Sequence, residues 1–502
     1  MNGLDAVDRP LIIVAASVYL LLVLAVGVWS ARRTKTAKDF WIAGQNIGLL
    51  TTGLATTSAA FSGFVFLGGP GLTYQLGTGS LFIVVAGGFT ASLMCWVLAK
   101  RLRLLAGLRE VYTIPDAILC RYRSRAASGI AAVAVIVGTI AYLGSQFLAL
   151  GRLIEAVFGT RELVGDLSLA VAVIAGVVVV VVYSTLGGMI AGVYTDLLQG
   201  SLMTLVAGVV FVHAIVEGGG VARIAESIAA SEAFGRSFLE PLGRVPILTA
   251  VGFYFVFAIG ILGQPHMLHK FYMIDDPRKL KWIPVVVGFT QTLCVLIWLG
   301  LGLVVPALVA QGRLAPLARP DDAAAAYLLN FAPTLLAGLV FAGILAAIMS
   351  TADSFVNIGS AALVRDLPRA FGRFVHRELF WGRLAVIGIA LAAAVLAIVS
   401  GDLIAILGTF AFGTFGAALA PALAIGLNWQ RVSAKAAVAS MLVGIIVNLG
   451  LEILARSGVM LLRPGVLPTA VSLAASFSVL FLVSWVSAPE PIDEDVLFVM
   501  ES

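Results

Sequence analysis

Between Leu335 and Val364 an apolar run carries one polar stripe, Ser350, Thr351, Asp353, Ser354 and Asn357. Hydroxyls, a carboxylate and backbone carbonyls are the oxygen donors that small hard cations take. In hydrocarbon such groups must face protein or water, and they mark ion or substrate paths. Positions 347, 350 and 351 are spaced i, i+3, i+4, so one helix face can present all three. Two further runs are broken. Residues 48–72 hold Thr56, Thr57, Ser58, Ser62 and Gly63 before Gly68-Gly69-Pro70-Gly71, and residues 247–267 hold Gly260 and the string Gly263-Gln264-Pro265-His266. Gly and Pro release carbonyls from the helix ladder, and a membrane tolerates these only where they line a cavity. Taken alone, each segment also fits close helix packing through small residues. The chemistry on offer is cation and solute binding. No GxSxG, HExxH or P-loop string is present, and His266 and His269 have no carboxylate or Cys at metal spacing, so an enzyme is not expected.

The elements that position these residues are membrane helices. With 60% hydrophobic and 12% charged residues and a mean hydropathy of +1.05, the chain is not a soluble globular domain. About thirteen apolar runs have spanning length: 11–29, 48–72, 80–99, 128–150, 167–185, 196–216, 247–267, 284–308, 335–364, 382–400, 402–427, 434–454 and 465–487. The first run is preceded by Asp5, Asp8 and Arg9 and followed by Arg32, Arg33, Lys35 and Lys38, the reverse of a cleavable signal. With the N-terminus outside, segments 32–38, 100–125, 270–281, 365–383 and 431–435 face the cytoplasm and hold 22 of the 32 Lys and Arg residues. That distribution favours N-terminus out and C-terminus in, and a multi-pass protein of the cell inner (plasma) membrane is expected. The net charge of +5 faces anionic lipid and calls for no nucleic-acid partner. Cys95, Cys120 and Cys294 show no paired spacing and are expected to pack. The loop 217–246 is the largest external element, with a short amphipathic helix expected over Val221 to Ala230.

The breaks open two sets of five spans, the second to sixth and the seventh to eleventh. An odd number per set inverts the second copy, the arrangement of inverted-repeat transporters with binding at the midplane. One polytopic domain is expected over 1–502. It comprises an extra N-terminal helix (11–29), a first repeat (48–216), a second repeat (247–427), extra C-terminal helices (434–487) and an acidic cytoplasmic tail (488–502).

Three strings resemble the sodium:solute symporter family, which includes the bacterial sodium/proline symporters: Tyr183-Ser184-Thr185-Leu186-Gly187-Gly188-Met189 followed by Tyr194-Thr195-Asp196, then Gly263-Gln264-Pro265-His266, and Ala346-Ala347-Ile348-Met349-Ser350-Thr351-Ala352-Asp353-Ser354. Similarity runs in order from about residue 10 to about 430. The resemblance implies an all-α, LeuT-like fold of about thirteen transmembrane helices with a five-plus-five inverted repeat. It also implies a sodium site between the second and ninth spans, from the carbonyls of Ser58, Phe61 and Ala347 and the hydroxyls of Ser350 and Thr351. The alternative for those two hydroxyls is a bond back to the carbonyl four residues earlier.

Asp353 and Ser354 extend the stripe and, with Asp196, would serve a second ion or a proton. Asp196 equally fits a helix start, where an acid meets the positive dipole end. Ala60 stands where the proline symporters have an aspartate, and Phe257 and Ile261 replace their tryptophan and tyrosine; Tyr142 matches. The solute pocket is expected near Ala55, Thr56, Thr57, Ser58, Tyr142, Phe257, Ile261, Gln264 and Pro265. Sodium-coupled import of a small carboxylate, an amino acid or monocarboxylate, is the leading reading. A proton-coupled symporter of the same fold and a symporter-like membrane sensor are the alternatives.

Overall fold

The computed structural model describes residues 9–502 apart from 33–36, 159, 161–163, 401–403 and 460. The flanking charges at 5, 8, 33 and 35 lie outside the described residues, as do the first two positions of the 402–427 run. Among the described residues the regular structure is helical, with one isolated bridge between Ile47 and Ile274. Among the described residues ten helices are long and apolar enough to cross a membrane, or up to 12 if each of two bent pairs is one span. The third apolar run of the sequence is helical as well.

In chain order the spans are α1 (Arg9–Ala31), α2 in two halves, α2a (Leu49–Ala60) and α2b (Gly69–Leu76), α3 (Leu81–Met94), α4 (Arg125–Phe158), and α5 (Gly165–Val182) and α6 (Gly188–Glu217). Then follow α7a (Ile247–Gly260) and α7b (Pro265–Phe271), α8 (Ile283–Ala310), α9 (Thr334–Ala361), α10 (Glu378–Val399), α11 (Ile404–Ala420), α12 (Ala434–Arg456) and α13 (Pro468–Val486).

Both runs that the Gly and Pro residues interrupt are bent, the second span by 52° and the seventh by 45°. Between α5 and α6 the chain turns at Gly188, whose φ of 56° and ψ of −156° leave the helical region where a side chain would be strained. α6 therefore begins eight residues before Asp196. That corrects the expectation of a helix starting near 196: the aspartate lies two turns inside and cannot cap the first turn.

Burial orders the bundle. Helices α9 and α11 have 83% and 89% of their apolar windows inside the protein, against 22% for α1 and 28% for α12, so the polar stripe is central and the additional helices are peripheral. On one side, Val221–Ala230 is helical as expected, with Ile224 and Ile228 buried. The segment before α9 lies nearby, and its Asp321 accepts the Ile404 amide at 3.0 Å at the start of α11. Burial pushes this carboxyl up to about 6. On the other side the acidic tail forms a helix, Glu494–Glu501. Arg109 pairs with Asp493 at 2.7 Å and Asp495 at 2.6 Å, which places the tail on the same side as the 100–125 segment. Cys95, Cys120 and Cys294 are free and buried.

Candidate ion and solute site

The break in α2 decides what its carbonyls can do. Phe61 leaves the helix in extended backbone, φ −104° and ψ 112°. The next amides find side chains instead of helical carbonyls: Gly63 N–H donates to Gln146 Oε1 at 3.0 Å and Phe64 N–H to the Ser62 hydroxyl at 3.2 Å. In an unbroken helix these two amides would cover the carbonyls of Ala59 and Ala60. The stripe on α9 faces that bared turn. Ser350 Oγ donates to the Ser58 carbonyl at 3.0 Å and lies 3.1 Å from the Ala347 carbonyl. Thr351 Oγ1 stands 3.5 Å from the Ala59 carbonyl and 3.1 Å from that of Ala347.

Four of the five expected ligands, Ser58, Ala347, Ser350 and Thr351, thus come together, buried, from two spans 292 residues apart in sequence. Phe61 is not among the hydrogen-bonded oxygens; Ala59 supplies the second α2a carbonyl, and the Phe61 side chain lines the adjoining cavity. The hydroxyls do bond back along their own helix, as the alternative held, but they reach across to α2a as well. Oxygens held about 2.4 Å from one cation at right angles stand about 3.4 Å apart, so separations of 3.0 to 3.5 Å suit a monatomic cation of that size.

Beside this cluster lies a buried ion pair. Lys270 Nζ, at the end of α7b, is 2.6 Å from Asp196 Oδ2, and both side chains are 1% exposed. Counting Lys270 among cytoplasmic loop charges is thereby corrected: the half-helix continues to Phe271 and carries the ammonium into the core. Asp353 is buried, with Oδ1 accepting from Asn357 Nδ2 at 3.0 Å. Oδ2 of Asp353 and Oγ of Ser354 have no protein partner. His269 is buried and hydrogen-bonds the Tyr112 carbonyl at 2.8 Å.

A cavity of about 60 Å³ adjoins the α2 break, lined by Phe61, Phe64, Tyr142, Phe257, Ile261, His266, Gln291 and Phe412 among others. Tyr142, Phe257 and Ile261 of the expected solute residues line it. The remaining six do not, Ser58 lying in the ion cluster. Ala55 packs with Met189, Val193 and Met273. Thr56 bonds the Thr52 carbonyl at 2.8 Å and Thr57 meets the Thr290 hydroxyl at 2.5 Å. Gln264 Nε2 donates to the carbonyls of Gly260 and Phe412, at 3.0 and 2.9 Å, tying the α7 break to α11. Pro265 faces another small cavity.

Sequence reasoning missed Phe64, His266, Gln291 and Phe412. Phe257 stacks on Phe412 with ring centroids 4.5 Å apart and on Phe64 at 5.6 Å. In sequence these rings look like ordinary apolar residues of their helices. Neither Asp, Glu, Lys nor Arg lines the cavity.

A profile of the sodium:solute symporter family matches residues 40–444. The osmoregulated proline transporter OpuE of Bacillus subtilis is 29% identical over 452 residues, covering 86% of this chain and 87% of that protein. The sodium/proline symporter of Salmonella typhimurium is 27% identical over 449 residues, covering 88% and 87%, and the sodium/pantothenate symporter of Escherichia coli is 25% identical over 436 residues, covering 85% and 87%. Among solved structures, a Na+-coupled sialic acid symporter superposes with a TM-score of 0.76 at 17% identity, covering 96% of this chain and 99% of that one. Mhp1, a nucleobase-cation-symport-1 family transporter, gives 0.56 at 14% identity, with 93% and 99% covered. These likenesses establish the inverted-repeat, LeuT-like fold. The chain belongs to the sodium:solute symporter family.

Proposed function

We propose that this chain imports a small carboxylate solute together with sodium across the plasma membrane by alternating access, its N-terminus outside and its C-terminal tail in the cytoplasm. The observation that carries the reading is the hydrogen bond from the Ser350 hydroxyl to the Ser58 carbonyl. It joins the broken span to α9 through atoms that are themselves sodium ligands by type. Sodium bound among Ser58, Ala59, Ala347, Ser350 and Thr351 would tie α2 to α9 and fix the wall of the adjoining cavity, so ion and solute favour the same conformation.

The cavity's aromatic walls and lack of fixed charge favour a solute with an apolar body whose carboxylate is balanced by its own ammonium or by the ion. Relatives named for proline and pantothenate support a carboxylate solute. At about 60 Å³ the cavity has the volume of about two water molecules, so a larger solute enters only as α2b, α7 or α11 moves. For a zwitterionic solute one sodium ion is enough to drive transport, since about 2.3 kcal/mol per charge per 100 mV sustains roughly 50-fold accumulation; an anion moving with one sodium ion carries no net charge and is driven by the sodium concentration gradient alone.

The test is uptake by the purified protein in proteoliposomes. Labelled proline, other amino acids, pantothenate, short monocarboxylates and sugars are each offered with and without an inward sodium gradient. Saturable, sodium-stimulated uptake of a carboxylate is expected. Flux that does not saturate, or that ignores sodium for every carboxylate, would overturn the proposal.

A further inference from the structure

On the side of the bundle that carries the tail helix, a groove of about 990 Å³ opens between the end of α3 and the start of α8, a volume at the upper end of those that hold small ligands. Trp96, Lys100 and Leu104 form one wall, and Arg278, Lys281 and Pro284 form the other. The walls are tied together. Arg103, buried on the helix Lys100–Leu108 that continues α3, donates to the Ile274 carbonyl at 2.7 Å and the Asp275 carbonyl at 3.2 Å, just before the turn Pro277–Trp282 that leads into α8.

The charge in this groove is unbalanced. Lys100, Arg278 and Lys281 line it against a single carboxylate, that of Asp276, whose Oδ1 accepts the Arg278 amide at 2.8 Å. Lys100 Nζ donates to the Ser502 carbonyl at 2.7 Å, and Lys281 Nζ lies 5.8 Å from the centre of the Trp282 ring. Asp275, the neighbouring acid, is taken by Lys279 at 2.6 Å. Among the described residues neither Arg278 nor Lys281 pairs with a carboxylate.

The surface beside the groove is apolar. Trp96 is 80% exposed, and Trp282, Val285 and Phe289 are exposed as well; Val285 and Phe289, four residues apart on α8, share a face. Exposed indoles next to Lys and Arg at helix ends mark the level where lipid headgroups meet acyl chains. Cations in a recess with apolar surface alongside complement a molecule with an anionic head and apolar tails, and basic pockets between membrane helices bind acidic headgroups.

We propose that this groove binds an anionic glycerophospholipid, its phosphate held by Arg278 and Lys281 and its acyl chains lying along Trp96, Val285 and Phe289. The guanidinium can meet two phosphate oxygens at once and the ammonium acts as a point charge. A choline headgroup would bring its own cation into a recess already rich in positive charge, so the site discriminates against it.

The experiment measures thermal protection of the purified full-length chain in neutral detergent, with retained lipid counted by native mass spectrometry. Phosphatidylglycerol is compared with phosphatidylcholine of the same acyl chains and with inorganic phosphate. Phosphatidylglycerol is expected to raise the melting temperature saturably and to remain as one lipid per chain, while the other two do neither. Arg278→Gln/Lys281→Gln should weaken the apparent affinity roughly 30-fold. Lys435→Gln/Arg373→Gln, which removes as much charge from exposed positions outside the groove, should leave it unchanged. Equal protection by phosphatidylcholine would overturn the proposal, and that comparison needs only the wild type. Protection by inorganic phosphate alone would overturn it too, by making the groove an anion site without a lipid. Equal losses in the two double variants would reduce the effect to overall charge and refute the site.

Discussion

Replacing Ser350 and Thr351 together by Ala removes both hydroxyls of the cluster and leaves its carbonyls in place. Ser350 Oγ is 3.0 Å from the Ser58 carbonyl and Thr351 Oγ1 3.5 Å from that of Ala59, so the variant also cuts the side-chain link between α2a and α9. Hydrogen-bond-strength contacts to a charged group contribute about 1.5–3 kcal/mol each. Two such losses weaken sodium binding by roughly 10²- to 10⁴-fold. The fold should survive, because α9 keeps its backbone ladder and Ala suits a helix interior. Sodium titration of solute uptake, with protein folding checked by thermal unfolding in the absence of sodium, reads the effect. The half-saturating sodium concentration should rise out of the measurable range while the sodium-free melting temperature moves by a few degrees at most. A double variant with unchanged sodium dependence would remove these hydroxyls from coupling and refute the reasoning.

Other consequences are simpler to measure. Asp321 sits outside the spans with its carboxyl pushed up to about 6 by burial. A raised carboxylate favours the folded state when protonated, so its contribution is present below pH ~4 and is lost as pH rises to ~6, amounting to about 2–3 kcal/mol at most. Asp321→Asn should keep the acceptor for the Ile404 amide and flatten the pH dependence of the melting temperature between those limits; an unchanged slope would refute the assignment. Gly69 lies against the Trp298 ring, where a Cβ would approach to 2.2 Å, and the indole N–H donates to Thr73 Oγ1 at 2.8 Å. Gly69→Ala should therefore destabilise the protein by about 1–3 kcal/mol, read as a lower melting temperature, and a neutral result would mean that α2b moves freely. Arg109→Ala should release the tail helix, seen as faster hydrogen exchange over 494–501. Its pairs with Asp493 and Asp495 are part-exposed, so global stability should fall by less than about 1 kcal/mol. The Arg109 guanidinium holds the Asp495 carboxyl below its usual range; that stabilisation is present above the ordinary carboxylate pKa and is lost as pH falls through the lowered one.

Features written into local periodicity and backbone chemistry were legible in the sequence. Hydrophobic runs gave the spans, Gly and Pro gave the two bends, and the amphipathic pattern gave Val221–Ala230. The polar stripe on α9 showed which face turns inward, because oxygen atoms in an apolar helix have nowhere else to go. Features that depend on which side chain meets which across the bundle were hidden. Lys270 follows an apolar run and precedes a charged loop, so charge counting assigns it to water, while the continuation of α7b to Phe271 buries it against Asp196. Gln264 stands in a string that suggests solute contact, yet its amide serves as a staple between the α7 break and α11. Phe64 and Phe412 are indistinguishable in sequence from core residues, and only the meeting of α2, α7 and α11 makes them cavity walls. The helix start at Gly188 was obscured because it falls in the stretch 186–195 between two assigned runs, where no capping residue marks it.

The most direct test of sodium coupling is solute accumulation in proteoliposomes under an imposed ion gradient. An inward sodium gradient should raise internal solute above the external concentration, and dissipating it with a sodium ionophore should return the two to equality. A proton gradient at equal sodium on both sides should give no accumulation. Accumulation driven by protons alone, or solute that merely equilibrates whatever the sodium gradient, would contradict the account.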